Sequence, residues 1–262
     1  MSYLTDITSV LFEHFKCSNI EELINIMKTQ ELATVKNLRT GEIGISTKRH
    51  VKRLTFGKDI VDKLTRPVEQ IITGFTDYKY MYSDIIVEPS HGDILFYDGE
   101  SIGRHGMHID EVPKKSPGSY YVYNSFILCL SSDVSHSDDG TTTVIVEGKK
   151  TTYPTNIDGN FLIFSSCNPH MVSPVCARSK IPENPWKYVT KDKKGSLVNI
   201  PMGGTSGEYV LKIKLDVWIR HPGSGFDLDD IEYEDYYDDE DTIKYKGYSS
   251  YMDACNGYDC DW

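Results

Sequence analysis

The sequence predicts a mainly β protein of the sandwich or jelly-roll class, with N-terminal helices supporting it in an α+β arrangement. Three observations predict this. Apolar residues recur at intervals of three and four up to residue 77, then at intervals of two or in short runs. Eight such runs follow one another, each bounded by Gly, Pro, Asp or Ser. Between them the turn chemistry is explicit at Asp98-Gly99, Asp139-Gly140 and Asp158-Gly159.

The helical part comes first. Leu4, Ile7, Val10, Leu11 and Phe15 lie on one face of a helix within 4–30. Ser18 is the expected cap of a second helix, with Glu21 in the capping-box position. Residues 34–56 read as irregular, apart from a short strand at 42–47. Ile60, Val61, Leu64, Val68, Ile71 and Ile72 mark an amphipathic helix over 58–73, which Pro67 kinks or opens.

Strands are expected at 79–87, 93–98, 105–111, 119–132, 141–147, 160–165, 169–175 and 208–220. In the last, Tyr209, Leu211, Ile213, Leu215 and Val217 share one face, and Lys212, Lys214 and Trp218 share the other. Residues 177–207 carry Pro182, Pro185, Pro201 and four Gly, and read as a long insertion of the lid or binding-loop kind. The chain thus divides into a helical support (1–77), a β domain (78–222) interrupted by 177–207, and an acidic, Tyr-rich tail (223–262) with too few aliphatic residues for a core.

Charge narrows the partners. The 262 residues carry a net charge of -11, and ten acidic residues lie between Asp227 and Asp241. Without those ten the chain is nearly neutral, so no basic surface calls for a nucleic-acid backbone. The six Cys include no C-x-x-C pair, which fits free thiols in a reducing compartment. The N-terminus lacks a signal-peptide pattern and no apolar run is long enough to span a bilayer, so the expected location is cytoplasmic.

His108-Ile109-Asp110 is the chemical centre of the sequence. In an extended backbone residues i and i+2 share a face, so the imidazole and the carboxylate point the same way. His170, in a later strand, would complete a set of two His and one carboxylate, which leaves half an octahedron open for other ligands. His105 lies three residues before His108 and is expected on the opposite face.

The surroundings of this pair resemble the iron(II)- and 2-oxoglutarate-dependent dioxygenases, most closely their prolyl 4-hydroxylase-like branch. The resemblance runs from 78 to 220. It rests on His108-Ile109-Asp110, the turn Asp139-Gly140-Thr141-Thr142, the strand after Asp158-Gly159, His170-Met171-Val172-Ser173-Pro174-Val175, and Lys212 six residues before Trp218. It implies a double-stranded β-helix core, a jelly roll of the cupin type. It implies Fe(II) on His108, Asp110 and His170, with 2-oxoglutarate and O2 as co-substrates and ascorbate as an optional accessory. Lys212 would pair with the distal carboxylate of 2-oxoglutarate, Lys180 being its rival, and Tyr97 and Thr142 would touch the same co-substrate. Two departures bear on that pocket: Cys129 stands where relatives often carry a second tyrosine, and the usual glycine pair is reduced to Asp139-Gly140. The implied activity is hydroxylation of a prolyl or other residue in a protein or peptide, with release of succinate and CO2. An oxygenase acting on a nucleic-acid base or small molecule, and a non-catalytic β-helix that binds a partner, remain as alternatives.

Overall fold

A computed structural model of the chain describes residues 2–36, 43–45, 49–74, 84–110, 112–113, 115–118, 121–134, 136–175, 190–191, 197–198 and 208–220. Lys180, most of the 177–207 insertion and the whole acidic tail lie outside the described residues. In chain order the elements are α1 (Ser2–Phe15), α2 (Ile20–Lys28), β1 (Thr34–Lys36), β2 (Ile43–Ile45), β3 (Arg49–His50), β4 (Lys52–Gly57) and α3 (Lys58–Gly74). There follow β5 (Asp84–Val87), β6 (His91–Asp98), β7 (Gly103–His108), β8 (Tyr121–Asp133), β9 (Thr142–Val146), β10 (Lys149–Tyr153), β11 (Phe161–Ser165), β12 (His170–Val175), β13 (Thr190–Lys191), β14 (Leu197–Val198) and β15 (Tyr209–Arg220).

Two antiparallel sheets form the jelly roll. One has the order β10-β9-β12-β7-β3, the other β11-β8-β15-β6-β4 with β5 added on β15. Strand alternation divides the six-stranded sheet cleanly. Ile94, Phe96, Phe126, Leu128, Leu211, Ile213 and Leu215 face the helices and join Leu11, Leu23, Leu64, Val68 and Ile72 in one buried cluster. Leaving each such side chain in water would cost ~1.5–3 kcal/mol, so this face of the sheet requires its helical cover. The other face, with Leu95, Tyr97, Cys129 and Val210, packs on Val172 and Val175 of the five-stranded sheet. No helix among the described residues is long and apolar enough to cross a membrane.

Several local expectations are corrected. The cap of α2 is Asn19 rather than Ser18: Asn19 Oδ1 accepts the Glu22 N–H at 2.9 Å, and the Glu22 carboxylate accepts the Ser18 N–H at 2.6 Å. The capping acid is therefore Glu22, not Glu21, in a register that buries Leu23, Ile24 and Met27. The described residues of 34–56 are not irregular beyond the one strand expected at 42–47, since they supply β1, β3 and β4 besides β2. β3 pairs with β7, and β4 pairs with β6 over six residues, so both sheets draw a strand from this segment. Its charges hid the pattern: Lys52 and Arg53 are inside ion pairs, at 2.9 Å to Asp98 and 2.7 Å to Asp93. β10 was also unexpected, because Lys149-Lys150-Thr151-Thr152 is the polar composition of an edge strand. Helix α3 runs continuously through Pro67, which is buried.

Candidate metal centre

β7 and β12 lie side by side, and His108 stands directly across from His170. On its other side His170 faces Val144 of β9. The pairing of β7 with β12 is interrupted twice: three steps along β7 from His108 to His105 match two along β12 from His170 to Val172, and the reverse holds further on. Such a bulge breaks strict alternation. His105 is consequently not on the opposite face: its ring stacks on His108 with centroids 3.6 Å apart.

Both histidines are oriented from behind. His108 Nδ1 donates to the Gly106 carbonyl at 2.8 Å, and His170 Nδ1 donates to the Asn168 carbonyl at 3.0 Å. This leaves each Nε2 lone pair free to coordinate, the arrangement that metal-binding imidazoles use. Asp110 lies just beyond the end of β7. Its N–H donates to the Ser166 carbonyl at 3.1 Å, and its Oδ2 accepts the Ser125 hydroxyl at 2.6 Å. The two Nε2 atoms each stand 3.6 Å from a carboxylate oxygen of Asp110. That exceeds a hydrogen bond and suits ligand atoms about 2.0–2.2 Å from one shared ion. The candidate ligand atoms of the three residues lie within 4.8 Å of one another.

The electrostatics match a cation site. Burial alone would raise the Asp110 carboxyl, but His108, Lys214 and His170 outweigh it and hold the group well below the carboxylate range. Burial, then the neighbouring His108, pushes His170 down to about 4, so the ring is neutral at physiological pH. The same two causes keep His105 neutral. A carboxylate and two imidazoles tied back through Nδ1 are a donor set for a divalent ion.

The cluster opens on a cavity of about 470 Å³ whose walls include Arg49, Arg53, Tyr97, His105, Tyr123 and Lys214. Lys214 Nζ bridges Asp216 at 2.9 Å and Asp110 at 3.4 Å. Tyr97 is fully buried at the cavity wall, where burial raises its phenol well above the ordinary range. Lys212 and Thr142 meet each other but are not among the lining residues. The Lys212 ammonium donates to the Gly140 carbonyl at 2.6 Å, to Thr155 Oγ1 at 2.8 Å and to Thr142 Oγ1 at 3.3 Å. It stands 5.3 Å from the centre of the Tyr97 ring, opposite Cys129 in the strand register. Sequence reasoning missed Arg49, Ser125, Ser166 and Thr155. Of these only Ser125 had a signal, being an inward position of an apolar strand.

No family model and no curated protein matches the sequence. Among solved structures, the chain is similar to a prolyl-4-hydroxylase of Pseudomonas putida at 14% identity, covering 78% of this chain and 85% of that one with a TM-score of 0.41. It is similar to a prolyl hydroxylase of Trichoplax adhaerens, in complex with a hypoxia inducible factor oxygen degradation domain peptide, at 14% identity, 84% and 79% coverage and a TM-score of 0.44. An oxidoreductase of the 2OG-Fe(II) oxygenase family from Burkholderia pseudomallei matches at 12% identity, 76% and 79% coverage and a TM-score of 0.36. All three are likenesses of fold at low identity.

Proposed function

We propose that the chain is an Fe(II)- and 2-oxoglutarate-dependent dioxygenase that hydroxylates a C–H bond in a protein or peptide, a prolyl residue being the first candidate, with release of succinate and CO2. The observation that carries this reading is the convergence of His108 Nε2, His170 Nε2 and the Asp110 carboxylate at the edge of a cavity, each imidazole pinned through Nδ1. Iron held by these three residues would supply activation of O2, coupled to oxidative decarboxylation of the 2-oxo acid.

The chain's own groups have defined tasks. Ser125 fixes one oxygen of Asp110, and Ser166 fixes its backbone, so the carboxylate is preorganised. Tyr97 and Val172 wall the cavity and exclude water from the reacting face. Lys212, Thr142 and Tyr97 are the groups that the sequence resemblance assigns to the co-substrate, and Arg49, Arg53 and Lys214 are the cations on the cavity wall. The rim includes exposed apolar side chains: Ile109 is 58% exposed and Val112 is 37% exposed, beside Pro113. An extended chain laid across it would cover this rim, which supports a peptide over a free small molecule.

The test is spectroscopic. Anaerobic addition of Fe(II) and 2-oxoglutarate should give a metal-to-ligand charge-transfer band in wild type and none in His108→Ala. Peptides should then stimulate succinate release more than oligonucleotides do. A wild-type protein that gives no band would sink the oxygenase reading.

A further inference from the structure

Three cations and three carboxylates line the cavity: Arg49, Arg53 and Lys214 against Asp93, Asp110 and Asp216. Two of the cations are engaged. Arg53 Nε donates to Asp93 at 2.7 Å, and Lys214 Nζ donates to Asp216 at 2.9 Å. The Arg49 side chain makes no hydrogen bond or ion pair among the described residues, and its Nε is buried without an acceptor. A buried guanidinium donor without an acceptor is destabilising, and the fitting ligand is a planar oxyanion that takes two N–H groups at once.

Position points the same way. Arg49 stands across from His105 in the strand register, and the His105 ring stacks on His108. The guanidinium thus lies on the cavity wall one residue removed from the metal cluster. With three charges of each sign the wall is neutral, so a divalent metal would leave two positive charges. A dicarboxylate dianion would cancel them.

Lys212 is a poorer host. An ammonium has three N–H donors, and all three have acceptors in Gly140, Thr155 and Thr142. It is fully buried, and it does not line the cavity. Burial also pushes it down to about 7.

We infer that Arg49, not Lys212, holds the distal carboxylate of the 2-oxo dicarboxylate co-substrate, and that Lys212 pins the Gly140 turn instead. This rests on the oxygenase reading above, but it assigns a residue of β3 that the sequence resemblance does not reach.

The charge-transfer band gives a binding readout that needs no turnover. The full chain, loaded with Fe(II) without O2, is titrated with 2-oxoglutarate and with 2-oxobutyrate, which keeps the chelating end and lacks the distal carboxylate. Wild type should prefer 2-oxoglutarate. Arg49→Gln should weaken 2-oxoglutarate by about tenfold to a hundredfold and leave 2-oxobutyrate unchanged, abolishing the preference. Arg49→Lys should restore part of it, and Lys212→Met should keep it. Lost preference in Lys212→Met with preference intact in Arg49→Gln overturns the assignment. Equal weakening of both ligands in Arg49→Gln overturns it too, because the distal carboxylate would not be what Arg49 senses. If Lys212→Met does not fold by circular dichroism, the Arg49 arm decides alone, since Arg49 is half-buried on an edge strand. A wild type that gives no band with either ligand refutes the oxygenase reading itself.

Discussion

Gly140→Ala should destabilise the protein through two separable effects. Gly140 closes the turn before β9 with φ at +70°, and its carbonyl receives the Lys212 ammonium. A Cβ there would meet Val210 Cγ2 at 2.5 Å and Val175 Cγ2 at 3.1 Å. The left-handed backbone costs an L-residue ~1–2 kcal/mol, and forcing a methyl into a filled site costs ~1–3 kcal/mol more. The stiffer unfolded chain offsets ~0.4–1 kcal/mol, leaving about 3 kcal/mol net. Val210→Ala alone, at a fully buried position, should cost about 2 kcal/mol. It also removes the atom that the new methyl strikes. The double variant should therefore lose about 1–3 kcal/mol less than the sum of the single variants, while the backbone part persists. Urea denaturation of the four proteins measures this directly. Additivity within ~0.5 kcal/mol would refute the reasoning, because the contact with Val210 would then play no part.

Two further predictions concern the site and its titration. Ser125→Ala removes the hydroxyl that holds Asp110 at 2.6 Å, and should weaken Mn(II) or Co(II) binding by about tenfold in calorimetry; unchanged affinity would show that Asp110 is held by other means. His50 is pushed down to about 4 by burial and then by Arg104, and His170 to about 4 by burial and then by His108. The unfolded chain binds these protons near pH 6.5, so the metal-free protein should lose stability as pH falls from 6.5 towards 4, by about 3 kcal/mol for each group. Asp110 acts in the same direction in a lower window: its depressed carboxyl contributes stability above the ordinary carboxylate range and loses it only in stronger acid. Melting temperatures at pH 7 and pH 4.5 with a chelator present test this, and His50→Gln should flatten part of the slope.

The sequence made the central strands legible because their alternation holds over most of their length, with one register shift where Leu211 and Lys212 of β15 meet β8. β15 sends Leu211, Ile213 and Leu215 to the helices and Val210 and Lys212 to the other sheet, as period two requires. β4 was illegible for an electrostatic reason: where an apolar face would show, it carries Lys52 and Arg53, whose partners Asp98 and Asp93 lie some forty residues away. The nearness of His105 to His108 was illegible because a bulge leaves no mark in a window of sequence. The neighbours of Lys212 were half legible. Thr142 belongs to a recognisable turn, whereas Thr155 lies in an unremarkable Pro154-Thr155-Asn156 stretch that only the fold brings to the ammonium.

The bulge also changes what positions the His-x-Asp pair. An unbroken strand would carry Asp110 to the face of His108 by alternation alone. Instead β7 ends at His108, and Asp110 is fixed from another part of the chain. The turn Ser166-Cys167-Asn168-Pro169 does this work for all three polar contacts that matter. The Ser166 carbonyl takes the Asp110 N–H, the Ser166 hydroxyl meets Ser125, which holds the carboxylate, and the Asn168 carbonyl orients His170. The Pro169 carbonyl ties the same turn to Ile145 of β9. Two of the three candidate ligands thus depend on one four-residue turn between β11 and β12. Two of these contacts are made by backbone carbonyls, which no side-chain substitution removes, while the carboxylate itself is aimed by the Ser125 and Ser166 hydroxyls, so the geometry of the cluster is a property of the sandwich more than of the motif.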